Sequence, residues 1–247
     1  GNKESVIIKN SGTIQTTAVN TPAINGNGST DLTITNNSTG FIKSLKKAIN
    51  INSGTNAKII NAGEITSTTG SQAIRANGAD LQVTNSGTIK ATTTEAIKIE
   101  SNASDAIITN SGIIYGTTFK TINIIGDNAT ITNESGGLIQ VGEKGTEEAT
   151  EKNAVIFYDD ENDSDDNGTL ENYGEITAAV STVKVAMQNV VINNHSGATI
   201  THTDNAGGYA AIQIADDNAT ITNKGILSGT HANSHSIEIE SGVKGTK

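Results

Sequence analysis

An asparagine that shortly precedes a glycine returns along this chain at Asn10, Asn36, Asn61, Asn85, Asn110, Asn133, Asn172, Asn194 and Asn223, at spacings of 26, 25, 24, 25, 23, 39, 22 and 29 residues. A period near 25, broken by one insertion, is the signature of a solenoid, whose units bury an apolar face only by stacking on their neighbours. Helical solenoids have longer periods and Ala/Leu-rich units, and this chain has neither.

Each unit contains three short apolar pieces, and alternation with period two makes each a strand with one buried face. The first piece ends at the asparagine, as in Leu32/Ile34, Leu81/Val83, Ala106/Ile108 and Val190/Ile192. The second follows the glycine and carries one inward aliphatic residue, for example Ile42, Ile89, Ile139 or Ile200. The third is a pair such as Ile49/Ile51, Ile97/Ile99, Val155/Phe157 or Ile212/Ile214. Three aliphatic columns imply three sheets. The expected fold is therefore all-β, a right-handed, three-sided parallel β-helix of about nine rungs, roughly 43 Å long at one strand spacing per rung.

The asparagine lies two residues beyond an inward isoleucine and is expected to point inward too, its amide stacked on that of the next rung. The glycine after it is expected to permit a sharp change of direction. Both are read as structural. After Asn36, Asn133 and Asn194, two extra residues before the inward isoleucine predict a widened turn.

The repeat argues for one elongated domain over residues 1–247, with an acidic insertion at 143–168. An apolar fraction of 34% fits a narrow core, and 26 glycines with one proline, Pro22, fit many tight turns. Absence of cysteine is compatible with an exported solenoid held by stacking alone. The formal charge of −10, with Arg75 the sole arginine, argues against a nucleic-acid partner. No stretch is long and apolar enough for a membrane helix or a signal peptide. Because the chain starts and stops in mid-pattern, it is expected to be part of a longer protein.

Within the insertion, Asp163-Ser-Asp165-Asp-Asn167-Gly168 matches the opening of a calcium loop, with alternating oxygens around a hard cation; Asp159, Asp163 and Asp165 are the candidate ligands. Against this, the place for a closing glutamate is Gly174, and the segment also aligns with Asp216-Asp-Asn-Ala-Thr-Ile221, so the rung pattern alone accounts for Asn167, Gly168 and Leu170. The loop is also the place where a rigid scaffold would carry specificity. Lys43, Lys46 and Lys47 form a small basic cluster read as a solvated corner. His195, His202, His231 and His235 lack ligands at matched spacing and are read as surface residues.

Hydrolytic or lyase chemistry would need carboxylates converging on one face, or a base beside bound metal. Carboxylates are scattered about one per rung, Arg75 has none at the equivalent rung position, and aromatics at 3% offer few stacking platforms for sugars. No catalytic residue and no cofactor is assigned, calcium excepted.

The phrases Thr-Ile-Thr-Asn-x-x-Gly and Val83-Thr-Asn-Ser-Gly-Thr-Ile89, at this period in a Thr/Ser/Asn/Gly-rich chain, resemble the passenger domains of Gram-negative autotransporters. The resemblance covers nearly all of the chain except the insertion and implies display at the bacterial surface, exported through a carboxy-terminal outer-membrane β-barrel that this chain does not contain. It implies an adhesin or self-associating passenger whose partner is a host-cell receptor or glycan, or an identical passenger on a neighbouring cell. A polysaccharide-degrading β-helix enzyme and a passive stalk presenting another domain are the alternatives. No functional motif of the family maps onto individual residues.

Overall fold

A computed structural model describes residues 5–118, 120–142, 153–159, 166–203 and 208–247. These residues form three parallel nine-stranded sheets and no helix, so none crosses a membrane as a helix. The first sheet runs from Ile7–Asn10 to Thr220–Asn223, the second from Thr13–Thr16 to Ile226–Gly229, and the third from Ile24–Asn25 to His235–Ile239. Each rung contributes one strand to each sheet in that order, giving the three-sided parallel β-helix that the repeat predicts.

Register follows the aliphatic columns. Ile8, Ile34, Ile59, Val83, Ile108, Ile131, Leu170, Ile192 and Ile221 stack in the first sheet. Most inward aliphatic side chains are fully buried, the exceptions lying in the terminal rungs. Slipping one strand by one residue would turn its apolar set outward, which is why a period-two pattern fixes register.

The asparagines form one continuous ladder. In every rung the Nδ2 donates to the Oδ1 of the next asparagine, from Asn10 to Asn36 at 2.8 Å through to Asn194 and Asn223 at 2.8 Å. The widened turns are inserted β-turns, closed by Gly40 N donating to Asn37 O, Gly137 N to Glu134 O and Ala198 N to His195 O.

The glycine beside the ladder has a different purpose from the expected one. Gly63, Gly87 and Gly112 have no left-handed φ. Instead, a Cβ on Gly87 would lie 2.2 Å from the Gly63 carbonyl oxygen, so the corner backbones of successive rungs approach too closely for any side chain. The left-handed corner is the one between the third and first sheets, where Asp31, Asn56, Asp80, Asp105, Asn128, Asn189 and Asn218 have φ between 55° and 62°. Asp and Asn tolerate this region better than other side chains. Asn128 and Asn218, which sit in glycosylation-like triplets, are thereby accounted for.

The stretch 143–168 is not one insertion. Val155–Tyr158 is the third-sheet strand of rung six, paired with Ile122–Ile124 and Val183–Ala186. Gly168 opens the first strand of rung seven, in register with Ala129 and Val190. It replaces an inward residue because the Phe157 ring fills that space: a Cβ on Gly168 would be 2.6 Å from the ring. Two departures from the repeat remain in the sequence, 143–152 between Leu138–Val141 and Val155–Tyr158, and 160–165 between Val155–Tyr158 and Gly168–Asn172; both lie outside the described residues.

Candidate functional site: the outer face of the third sheet

The outward slots of the third sheet carry Asn25, Asn50, Arg75, Lys98, Asn123, Ile156, Lys184, Gln213 and Glu238 in register. Corner residues Lys46, Lys47 and Lys120 stand beside them. Among the described residues this face therefore holds six cations between rungs two and eight, against Glu95 and Glu100, in a chain whose formal charge is −10.

In rungs two to four the charges interlock. Arg75 Nε donates to Glu100 Oε1 at 2.6 Å and Lys98 Nζ to Glu100 Oε2 at 2.9 Å. The positions level with Arg75 hold Asn50 and Lys98, so it has no carboxylate at the equivalent rung position, as expected; its carboxylate partner is diagonal. Long side chains on adjacent strands reach the diagonal position two residues on, where Glu100 lies. Burial works to raise the Glu100 pKa, yet the hydrogen bonds from Lys98 and Arg75, with their charges, outweigh it and hold the carboxyl below its usual range. Lys47 has its pKa lowered, first by burial and then by the nearby charge of Arg75, with Lys46 and Lys98 adding to the effect and Glu100 opposing it. Lys46 donates to Asn20 Oδ1 at 3.1 Å. Both lysines line a depression of about 360 Å³ with Asn25 and Asn50. Of the cluster read as a solvated corner, Lys43 is exposed on the second sheet as expected, while Lys46 and Lys47 form a partly buried concentration of like charge.

Next to this face runs an acidic edge. Every described aspartate lies at the corner between the third sheet of one rung and the first of the next. Asp80 and Asp105 occupy the same corner position in adjacent rungs. The left-handed corner explains why an Asp or Asn stands there but not why it is charged, since Asn serves the same conformation at 56, 128, 189 and 218.

A second depression, about 300 Å³, lies on the same face at rungs five to eight. Its floor includes the buried Ile156 and Val180, and its rim includes Tyr158, Lys184, Tyr209 and Gln213. Two of the chain's four tyrosines, Tyr158 and Tyr209, therefore line one depression, an arrangement not anticipated from the low aromatic content. The sequence signal was weak because the two residues are 51 positions apart and only rung alignment brings them close.

The calcium reading fares differently residue by residue. Asp159 is described, and its backbone N donates to Ala186 O at 2.8 Å. Asp163 and Asp165 lie outside the described residues. Asn167, Gly168 and Leu170, which completed the loop pattern, belong to the solenoid register, with Gly168 over Ala129 and Leu170 over Ile131. Among the described residues no group of three potential metal ligands is brought together.

Two histidines are not the plain surface residues expected. His202 is fully buried, with Nδ1 3.0 Å from Val180 O and its ring edge-on to Tyr209. Its inward slot at the end of a second-sheet strand is held by Ala178 and Gly229 in the adjacent rungs, small residues that leave room for an imidazole. His195 stacks on Tyr173 at 3.9 Å, and its Nε2 lies 2.6 Å from Glu171 Oε2. His231 and His235 sit in the last rung, at a corner and at the start of its third strand. Compared with known proteins, the chain matches no family model, no curated protein and no solved structure.

Proposed function

We propose that this chain is an adhesive rod of the bacterial surface, and that its first partner is a second copy of itself. The observation that carries this reading is the pairing of a cationic third-sheet face in rungs two to four with the acidic edge that borders it. Lys46, Lys47, Arg75 and Lys98 exceed Glu95 and Glu100 on the face, while Asp31, Asp80 and Asp105 mark the edge at the same rungs. Two rods laid antiparallel place the face of each against the edge of the other. Both contacts then form at once, which is the self-complementary geometry of a two-fold dimer. Each exposed pair contributes little, and repetition along rigid rods displayed in many copies supplies avidity. Export through an outer-membrane β-barrel belongs to the same proposal and is supported by the resemblance of the repeat to autotransporter passengers.

Sedimentation velocity over a wide concentration range tests it. The expected result is concentration-dependent growth in size at low salt that fades as salt rises. Lys47→Glu, or Asp80→Asn with Asp105→Asn, should abolish the growth; the asparagine substitutions keep the left-handed corners intact. A strict monomer at low salt, or association indifferent to these changes, sinks the self-association reading.

A further inference from the structure

We infer that the depression at rungs five to eight is a binding site for an acidic saccharide unit, a hexuronate or a sugar of equivalent charge. The site combines the three chemistries such a unit requires. Tyr158 points outward and is 44% exposed; Lys120 Nζ stands over its ring at 5.8 Å from the centroid, and its neighbour on the next rung is the small Ala186, which does not cover the ring. Tyr209 reaches the same depression and is braced from behind by the buried His202, ring centroids 5.8 Å apart. Aromatic rings with one apolar face and one polar end suit the C–H face and hydroxyl rim of a sugar.

The second chemistry is charge. Lys184 stands between Ile156 and Gln213 in the outward column, lines the depression, and makes no ion pair among the described residues. A carboxylate or sulfate brought beside it gains a charge-assisted hydrogen bond at a partly desolvated site. The third is amide hydrogen bonding. Asn153 is buried with its Nδ2 donating to Ser181 O, which fixes the side chain, and Gln213 Nε2 donates to Glu240 Oε1 at 3.1 Å. Each amide is thereby held beside the depression, and an amide oxygen is the acceptor type that a sugar hydroxyl requires. An apolar floor of Ile156 and Val180 under a few oriented polar groups is the usual construction of a small-molecule site. None of these residues belongs to the rung two to four charges used for self-association.

The test uses the purified chain at a concentration where sedimentation shows monomer, titrated calorimetrically with a short oligomer of galacturonic acid and, in parallel, a neutral galactose oligomer of the same length. Binding of the acidic oligomer and not the neutral one is expected. Lys184→Gln should weaken it by about tenfold or more. Tyr158→Ala should weaken it by about tenfold, with Tyr158→Phe close to the parent because the ring remains. Lys47→Gln, on the same face but far from the depression, should leave it unchanged. No binding of the acidic oligomer overturns the inference, as does equal binding of the neutral one. Equal loss in Lys47→Gln and Lys184→Gln also overturns it, since that would indicate diffuse attraction to the cationic face. Measured on monomer, these outcomes are separate from success or failure of self-association.

Discussion

Removing one amide from the middle of the asparagine ladder should cost far more than removing the last one, because the ladder has a direction. Asn110 Nδ2 donates to Asn133 Oδ1 at 2.9 Å, to Gly112 O at 3.1 Å and to Leu138 O at 3.2 Å, while its Oδ1 accepts from Asn85 Nδ2 at 2.8 Å. In Asn110→Ala, Asn85 Nδ2 keeps its bonds to Gly87 O and Ile113 O. Asn133 Oδ1 loses the only donor the described residues give it, in a fully buried site. An orphaned buried acceptor costs about 1–3 kcal/mol, and the other lost bonds add about 1 kcal/mol. The expected total is therefore about 2–4 kcal/mol. At the far end, Asn223 is exposed and its loss orphans no buried group: its Oδ1 accepts from Asn194 Nδ2, which still reaches Ile226 O at 3.2 Å, and from Gly225 N at 3.2 Å in an exposed bond that water can replace. Asn223→Ala should cost under about 1 kcal/mol. Urea unfolding followed by circular dichroism measures both. Equal losses in the two variants, or a larger loss at Asn223, would refute the directional argument. In Asn110→Asp, an acceptor faces Asn133 Oδ1 where a donor stood, so that variant should be less stable than Asn110→Ala at neutral pH.

Two further outcomes follow from packing and charge. Gly168→Ala should destabilise by about 1–3 kcal/mol through overpacking against Phe157, and Phe157→Leu in the same chain should recover part of that loss; additive effects in the double variant would show that the ring is not what the glycine makes room for. The Glu100 carboxyl, whose folded pKa lies below its unfolded value, contributes stability that is present above the unfolded carboxylate range and is lost as pH falls through the folded pKa. Glu100→Gln should flatten the acid limb of a melting-temperature profile below about pH 4, and an unchanged acid limb would remove Glu100 from that account.

The solenoid was legible because its information is local and repeated. Period-two alternation at Leu32/Ile34 or Ile97/Ile99 sets which residues face in, and the return of the pattern every 25 or so residues sets what stacks on what. The asparagine ladder was legible for the same reason. Gly26 concealed one third-sheet strand, since it lacks the second bulky inward side chain that marks most of the others. At Gly26 the space is taken by neighbours, with Leu32 Cδ2 and Ile51 Cδ1 within 2.8 Å of where a Cβ would lie.

Diagonal and distant relations escaped. Glu100 meets Arg75 because two long side chains bridge adjacent rungs off the register line. Tyr158 and Tyr209 line one depression because rungs six and eight lie close on the rod although their residues are far apart in sequence. The sequence by itself determined the strands, their facing and their stacking order, because burial of a period-two pattern leaves one solution. Only the tertiary structure decided which outward residues become neighbours, because that depends on side-chain reach and on how variable corners align. The cationic face, the acidic edge and the tyrosine-rimmed depression are all products of that second step.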